Sequence, residues 1–273
     1  MFQKRTQQTR LQTALAMAGL VFHSAAHSVR ANHRLAIMSI IANIFRIVVI
    51  MGIFLMMYQI LGMRRSAVRG DFVLFLLTGV FLYVTHVRTV GAVAGAAGPT
   101  APMMQHAPMN PFIEIASTAL ASFYTQFLSL LVILFFYYVA VNHFVIDQPV
   151  GAFFCFLATW FTGVAVGLVF MAMKPWSPGV TDICLTLYRR INMIASGKLF
   201  LANNLQPSMR NLFDWNPLFH AIDQARGFTF INYYPHFTSL AYAWYVGLAI
   251  FCIGLIAEYY TTRKASLSWD ARR

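Results

Sequence analysis

The sequence predicts an all-α integral membrane protein with six transmembrane helices, an N-terminal amphipathic helix at the membrane surface and outer re-entrant helices before the last span. Composition and the position of the charges lead to this fold class. Of the 273 residues, 59% are apolar and only 10% are charged, whereas soluble domains carry about a quarter charged residues. Such a composition excludes a disordered chain, a coiled coil and a nucleic-acid-binding protein.

The formal net charge of +12 indicates orientation in a membrane. The 20 Lys and Arg residues lie between and beside apolar runs, and they form no continuous basic stripe that could follow a phosphate backbone. We therefore expect membrane lipids, and no nucleic acid, among the partners. Cys155, Cys184 and Cys252 lie far apart in apolar sequence and show neither disulfide nor zinc spacing.

Residues 1–34 predict a helix that lies on the membrane surface. At helical spacing His23, His27 and Arg30 share one stripe, while apolar residues that include Leu15 and Phe22 share another. The segment is too polar to span a bilayer and lacks the cleavage site of a signal peptide. Two histidines without a third ligand nearby favour a hydrated face over a metal site.

Six segments approach the roughly 20 apolar residues that a spanning helix needs. The predicted spans are Leu35–Gly62, Phe72–Val87, Phe112–Val141, Gly151–Met173, Ile183–Leu205 and Thr238–Tyr260. An even number of spans places both termini on one side. That side holds thirteen of the 20 Lys and Arg residues, six lie opposite and Arg46 lies within the first span, so the positive-inside rule places both termini in the cytoplasm.

The spans define three regions of the chain. Residues 1–34 form the cytoplasmic or interfacial helix, residues 35–260 the transmembrane domain, and residues 261–273 a basic cytoplasmic tail. Two connections are long enough to have structure of their own. The connection from about Thr89 to Asn110, rich in small residues and proline, predicts a short helix along the cytoplasmic face. The connection from Gln206 to Phe237, interrupted by three prolines, predicts helices that enter the outer leaflet and return.

No residue pattern predicts catalysis or a bound cofactor. The sequence contains no HExxH, no GxSxG and no closely paired carboxylates. The segment from Ser196 to Lys198 has only a faint likeness to a phosphate loop, because Leu199 stands where Ser or Thr is needed. We expect no cofactor, no metal and no ATP binding by this chain alone.

Ionisable and aromatic residues at membrane depth are the candidates for contact with a substrate. Arg46 could meet an anionic substrate in a conduit, or its side chain could extend to the lipid headgroups, since the following apolar run already spans 17 residues. Tyr83 and Tyr137 could stack on sugar rings in a conduit, or they could belong to the interfacial aromatic belt.

The segment before the last span carries a resemblance to a known family. It reads Asn216-Pro217-Leu218, then His220 and Arg226, and one span with a basic tail follows. This order is similar to that in the permease subunits of type 2 ABC exporters, in the branch that exports capsular polysaccharide. The resemblance extends over nearly the whole chain, including Gly163–Met173, but only the segment from Asn216 to Arg226 is fairly specific.

The resemblance implies a six-span subunit in the cell inner membrane that forms a homodimer and exports lipid-linked polysaccharide. Two copies of a separate ATP-binding subunit would hydrolyse ATP, so this chain would be a transporter subunit and no enzyme. Periplasmic and outer-membrane export proteins would be further partners. The connection after the second span would be the coupling helix, and the residues expected to contact the ATPase are Arg88, His106, Met109, Asn110 and Pro111.

The same resemblance leads to a conduit between two copies, because one six-span bundle is too thin to enclose a hydrated polymer. Spans one, two and five are expected to line it. The candidate conduit residues are Arg46, Tyr83, Tyr137, His220 and Arg226. Asn216 and Pro217 have a structural interpretation as the cap and first turn of a re-entrant helix.

Other functions share parts of this pattern. A type 2 ABC permease for O-antigen, teichoic acid or a small molecule or drug would have the same topology. A membrane enzyme acting on lipid-linked sugars would need an essential carboxylate or histidine, and Glu114, Asp182, Asp223 and His220 are the residues available for it. A simple membrane anchor would not need the two long connections.

Overall fold

A computed structural model of the protein describes residues 10–31, 36–60, 71–96 and 111–270. Every regular element in these ranges is a helix, which confirms the all-α fold class. The elements are α1 (Arg10–Ala31), α2 (Ala36–Ile60), α3 (Phe72–Ala94), α4 (Pro111–Ala140), α5 (Pro149–Met173), α6 (Pro178–Ala195), α7 (Pro207–Arg210), α8 (Pro217–Thr229) and α9 (Leu240–Asp270), with a single 3₁₀ turn at Ala202–Asn204.

Five helices in the described part of the chain are long and apolar enough to cross a membrane. These candidate spans are Met38–Ile60, Phe72–Ala94, Phe112–Ala140, Pro149–Met173 and Leu240–Lys264, and they coincide with the predicted spans one to four and six. Their outer faces carry exposed apolar side chains such as Phe45, Phe135 and Leu248. Large apolar surfaces of this kind are compatible with a multi-pass membrane protein.

The predicted fifth span, Ile183–Leu205, is not confirmed among the described residues. Helix α6 begins earlier, at Pro178, and ends after 18 residues at Ala195. Its polar residues, which include Asp182 and Arg190, make it amphipathic instead of uniformly apolar. Gly197 then adopts a φ of +69°, a left-handed conformation that glycine adopts without steric cost and that ends a helix.

Helices α3 and α5 form the centre of the bundle. Phe81 stacks on Phe156 with ring centroids 6.1 Å apart. Further along the pair, a Cβ atom placed on Gly167 would lie only 2.7 Å from the Cβ of Val93. The missing side chain therefore lets the two helices approach closely, as small residues do in membrane helix pairs.

Helices α3, α5 and α9 run in the same direction. The two contacts just described occur in the same order along α3 and α5, and α9 follows α5 with Gly247 against Thr162 and Gly254 against Leu168. We call the end of the bundle where these three helices begin the upper end, and the end where they finish the lower end.

The chain between α5 and α9, residues 174–239, therefore crosses the bundle once. It does so as several short helices joined by turns, and we call this segment the broken crossing. Helix α6 leaves from the lower end, and α8 reaches the upper end, where the backbone amide of Gln148 donates to the carbonyl oxygen of Phe228 at 2.8 Å. Helix α2 also ends at the upper end, since Tyr58 packs edge-on against Phe72. The start of α2 and the end of α9 consequently lie at the same, lower end.

Within residues 1–34 the structure describes α1 as a helix that packs against α4, with the Ser24 hydroxyl donating to the Ser117 hydroxyl at 3.2 Å; its place at the membrane surface stays a prediction. Leu15 and Phe22 on α1 are exposed. At the other terminus α9 continues as a helix to Asp270. The predicted boundary after Tyr260 falls inside this helix.

Candidate functional site

In the described part of the chain, three Lys, Arg or Asp side chains are more than nine-tenths buried. They are Lys198, Asp223 and Arg226, with exposed fractions of 2%, 1% and 0%. All three belong to the broken crossing between α5 and α9. Because burying a charge costs free energy unless it is paired or hydrogen-bonded, and because ionisable groups at membrane depth are commonly functional, this region is the candidate functional site.

Arg226 holds the turn that follows α6. Its Nη1 donates to the carbonyl oxygens of Gly197 at 2.9 Å and Phe200 at 2.6 Å, and its Nη2 donates to that of Lys198 at 2.5 Å. The guanidinium group lies 4.2 Å from the centre of the Phe75 ring. The structure thus places this predicted conduit residue inside the protomer, where it binds main-chain carbonyl groups.

Lys198 was not among the predicted site residues. Its ammonium group lies 3.7 Å from the centre of the Tyr83 ring and 5.3 Å from that of Phe54, which makes an aromatic cradle of cation–π contacts. The neighbouring residue Leu199 is held by the Tyr58 hydroxyl, which donates to its carbonyl oxygen. Lys198 therefore lies where α2, α3 and the turn after α6 meet.

Asp223 accepts hydrogen bonds in the upper half of the same region. Its carboxylate accepts hydrogen bonds from the hydroxyl of Tyr233 at 2.6 Å, the hydroxyl of Thr238 at 2.9 Å and the backbone amide of Ala202 at 3.2 Å. These bonds join α8 to the segment that leads into α9. The carboxylate is thereby satisfied within its own protomer.

The motif that carries the family resemblance forms the beginning of α8. The side chain of Asn216 accepts from the backbone amide of Leu218 at 3.1 Å, and Pro217 occupies the first turn, as expected for a cap followed by proline. The amide nitrogen of the Asn216 side chain also donates to Asn192 and to the carbonyl oxygen of Ala195. One residue therefore joins the start of α8 to the end of α6.

His220 links α8 to its neighbours. Its Nε2 lies 2.7 Å from the carbonyl oxygen of Asp214, and its Nδ1 accepts from the backbone amide of Ser239 at 3.1 Å. This pattern fits a neutral imidazole that carries its proton on Nε2. The ring also lies 4.4 Å from that of Tyr242, so His220 contacts the first turn of α9.

Helix α6 is attached to α3 by polar contacts that sequence reasoning missed. His86 is fully buried, and its Nε2 lies 2.7 Å from the hydroxyl of Tyr188. The hydroxyl of Tyr83, a predicted conduit residue, donates to the carbonyl oxygen of Arg189 at 3.3 Å. A guanidinium nitrogen of Arg189 packs on Gly91, where a Cβ would come within 2.4 Å.

The outward face of α6 carries a polar stripe. Asp182, Thr186 and Arg190 are exposed and stand four residues apart, so they share one side of the helix. Exposed apolar residues, among them Ile183 and Leu187, lie directly beside them. This polar stripe differs from the apolar outer faces of the five candidate spans.

The remaining predicted residues lie apart from this site. Arg46 is exposed on α2, and Arg88 is half-buried near the lower end of α3. Tyr137 is at the upper end of α4, where its hydroxyl donates to Asp71. Of the predicted coupling residues, His106, Met109 and Asn110 lie outside the described residues, and Pro111 is described only as the first residue of α4.

Asp71 caps α3 at the upper end of the bundle. Its carboxylate accepts from the backbone amide of Val73 at 2.9 Å and from the side chain of Asn142 at 3.1 Å, in addition to the Tyr137 hydroxyl. Partial burial acts to raise the pKa of Asp71, but the hydrogen bonds outweigh it, so the pKa lies below its ordinary value. The carboxylate is therefore the stable form of this cap.

In its described residues the protein is all-helical, and five of its helices are long and apolar enough to be compatible with several passes through a membrane. The chain matches no known family model, and no curated protein matches it either.

Proposed function

We propose that the chain is the permease subunit of an ATP-driven exporter that moves a polysaccharide, in lipid-linked form, across the cell inner membrane. Two copies of the chain form the conduit, and two copies of a separate ATP-binding subunit hydrolyse the ATP. Both chain termini lie in the cytoplasm, on the side of the lower end of the bundle. The resemblance around Asn216, Pro217, His220 and Arg226 motivates this choice of substrate class.

The polar stripe on α6 is the observation that carries the proposal. Exposed to lipid, the side chains of Asp182, Thr186 and Arg190 would lose their hydration, at a cost that rises with depth to about 2.5 kcal/mol or more for a charged residue at the bilayer centre. A broken, amphipathic crossing is tolerated where it lines a water-filled cavity. A hydrated conduit between two copies of α6 supplies that water.

The attachment of α6 to α3 supports a route for the motion. The connection between α3 and α4 is the expected docking point for the ATPase, so a displacement there acts directly on α3. The bonds from His86 to Tyr188 and from Tyr83 to the backbone of Arg189 then transmit the displacement to α6. Rigid-body tilting of packed helices is an established form of such switching.

The test of this proposal is export by variants of the polar stripe. The triple variant Asp182→Leu, Thr186→Leu and Arg190→Leu removes the polar stripe, whereas the control Ile183→Leu, Leu187→Ile and Ile191→Leu changes the neighbouring apolar residues. Each chain is produced with the ATP-binding subunit encoded beside its own gene, in a strain lacking the natural copy, and surface glycan is stained.

We expect the control to export normally and the stripe variant to lose at least about tenfold of its export, while both still insert and co-purify with the ATPase, since apolar replacements favour insertion. Normal export by the stripe variant would overturn the conduit. Failure of the wild-type chain to co-purify with any ATPase, or full transport by the chain alone, would overturn the assignment to an ATP-driven exporter.

A further inference from the structure

The broken crossing contains more buried positive charges than buried negative charges among the described residues. Among the described residues that are more than nine-tenths buried, two cations, Lys198 and Arg226, accompany one carboxylate, Asp223. Asp223 already accepts three hydrogen bonds from Tyr233, Thr238 and a backbone amide. One buried positive charge is therefore left without a negative partner from the described chain.

That charge belongs to Lys198. Arg226 uses both of its terminal nitrogens on three main-chain carbonyl oxygens, and only its Nε is buried without a hydrogen-bond partner among the described residues. The ammonium of Lys198 lies against the faces of Tyr83 and Phe54, and it forms no ion pair with a described carboxylate. Such cation–π contacts contribute about 0.5–2 kcal/mol, well below the several kcal/mol that burial of an ion costs.

Lys198 lies deep in the bundle, away from its upper and lower ends. Its carbonyl group packs on Gly79, where a Cβ would come within 2.3 Å, and its ammonium group packs on Tyr83. Both residues lie near the middle of α3, so Lys198 lies at the middle of the bundle's thickness. A lysine at an end of a helix extends its ammonium to the headgroups, but this one points its ammonium at aromatic rings of α2 and α3.

We propose that Lys198 binds an anionic oxygen group, a phosphate or a carboxylate, of a ligand that reaches the junction of α2, α3 and the turn after α6. Charge-assisted hydrogen bonds from an ammonium to such oxygens are stronger than neutral ones and exceed the cation–π contacts that they replace. The four-carbon side chain lets the ammonium leave the Tyr83 ring while the backbone stays fixed by Arg226.

Two sources could provide this chemistry in the proposed exporter: the phosphate of a lipid carrier or the carboxylate of an acidic sugar. The role of Lys198 in transport rests on the proposed function, whereas the binding itself is a property of the isolated chain. The two proposals can therefore fail separately. If the chain binds no anion, export and association with the ATPase can still be measured; if the chain is no exporter, anion binding can still be measured.

Native mass spectrometry of the full chain in a neutral detergent separates these sources. The lipid arm compares dioleoyl phosphatidic acid with dioleoylglycerol, and the sugar arm compares a trigalacturonate with an uncharged galactose trisaccharide. We expect the wild type to bind one of the two anions at least about tenfold more tightly than its neutral counterpart, which corresponds to about 1.4 kcal/mol. A wild type that prefers neither anion overturns the proposal.

Three substitutions assign the preference to Lys198. Lys198→Met removes the charge and should fold at least as well as the wild type, because an unpaired buried charge is lost; melting curves check this. We expect Lys198→Met to lose the preference, Lys198→Arg to keep it, and Lys174→Gln, a change at an exposed lysine, to leave it unchanged. Retention of the preference by Lys198→Met would show that another group binds the anion.

Discussion

Arg226 fixes the turn after α6 because one planar guanidinium group reaches three main-chain carbonyl oxygens at once. These carbonyls belong to the segment Gly197–Phe200, where α6 has already ended, and of the three only that of Gly197 also accepts a backbone hydrogen bond, from the amide of Phe200. Gly79 makes the arrangement possible, because a Cβ there would lie 2.6 Å from Nη2 of Arg226. Arg226 and Gly79 therefore stabilise the break in the chain between α6 and α8.

Arg226→Lys should destabilise the protein although the charge is kept. A lysine ammonium lacks the planar fork that serves several oxygens in fixed directions, and a buried polar group left unsatisfied costs about 1–3 kcal/mol. We expect a loss of about 3 kcal/mol, measured as a lower thermal melting temperature in detergent. The control Arg190→Lys, at an exposed position on α6, should melt like the wild type. Equal melting of the two variants would contradict the role assigned to Arg226.

Asp71→Asn should remove an acid-dependent part of the stability. Because the pKa of Asp71 lies below its ordinary value, the carboxylate stabilises the folded state above the unfolded pKa of about 3.9, and this stabilisation is lost as the pH falls through the folded pKa. The wild type should therefore lose stability below about pH 4, and Asp71→Asn should lose less over that range. Melting curves from pH 3 to pH 7 measure this, with Asp147→Asn, an exposed aspartate, as control. An identical acid response in Asp71→Asn would contradict the assignment.

Sequence reasoning found part of this site and missed the rest for a definite reason. Asn216, His220 and Arg226 were singled out because they form a short motif. The contacts of Arg226 could not be foreseen, since its carbonyl partners are 26 to 29 residues away along the chain. Lys198 gave no signal, because a single lysine becomes unusual only when Phe54 and Tyr83 from two other helices enclose it.

At the scale of the elements, α6 is the helix that departs from the pattern of the others. Continuous apolar runs predicted α2, α3, α4, α5 and α9 well, because length and hydropathy alone decide whether a helix can cross a bilayer. The same criterion extended the fifth span through Gly197 to Leu205. Its polar residues and the left-handed glycine break the apolar pattern, and α6 is held to α3 and α8 by hydrogen bonds.

Tyr188→Phe should loosen α6 without unfolding the bundle. It removes the hydroxyl that pairs with His86 and leaves the ring in place, so we expect a loss of about 1 kcal/mol. Hydrogen–deuterium exchange should become faster in α6 and remain unchanged in α9. Tyr245→Phe, at a residue that is 73% exposed, is the matched control. Unchanged exchange in α6 would mean that the contact with His86 does not hold the helix.

At the scale of the whole molecule, the directions of the helices explain why the chain between α5 and α9 must traverse the bundle. Helices α3, α5 and α9 are parallel, so the segment from 174 to 239 replaces a continuous span, and the start of α2 and the end of α9 lie at the lower end. The sequence predicted six crossings with both termini together; five described helices are long and apolar enough to cross a membrane, and the sixth crossing and the placement of the termini stay predictions. In the proposed exporter, two such bundles place their α6 helices on either side of one conduit.

The most direct test of this account is the water accessibility of the polar stripe in membranes that contain the ATP-binding subunit. Thr186→Cys is compared with Phe135→Cys, an exposed apolar position on α4, after Cys155, Cys184 and Cys252 have been replaced, and both are treated with a hydrophilic maleimide. We predict rapid labelling at position 186, at a rate that changes when a non-hydrolysable ATP analogue is added, and little labelling at position 135. Equal protection of both thiols, with and without nucleotide, would contradict a conduit lined by α6.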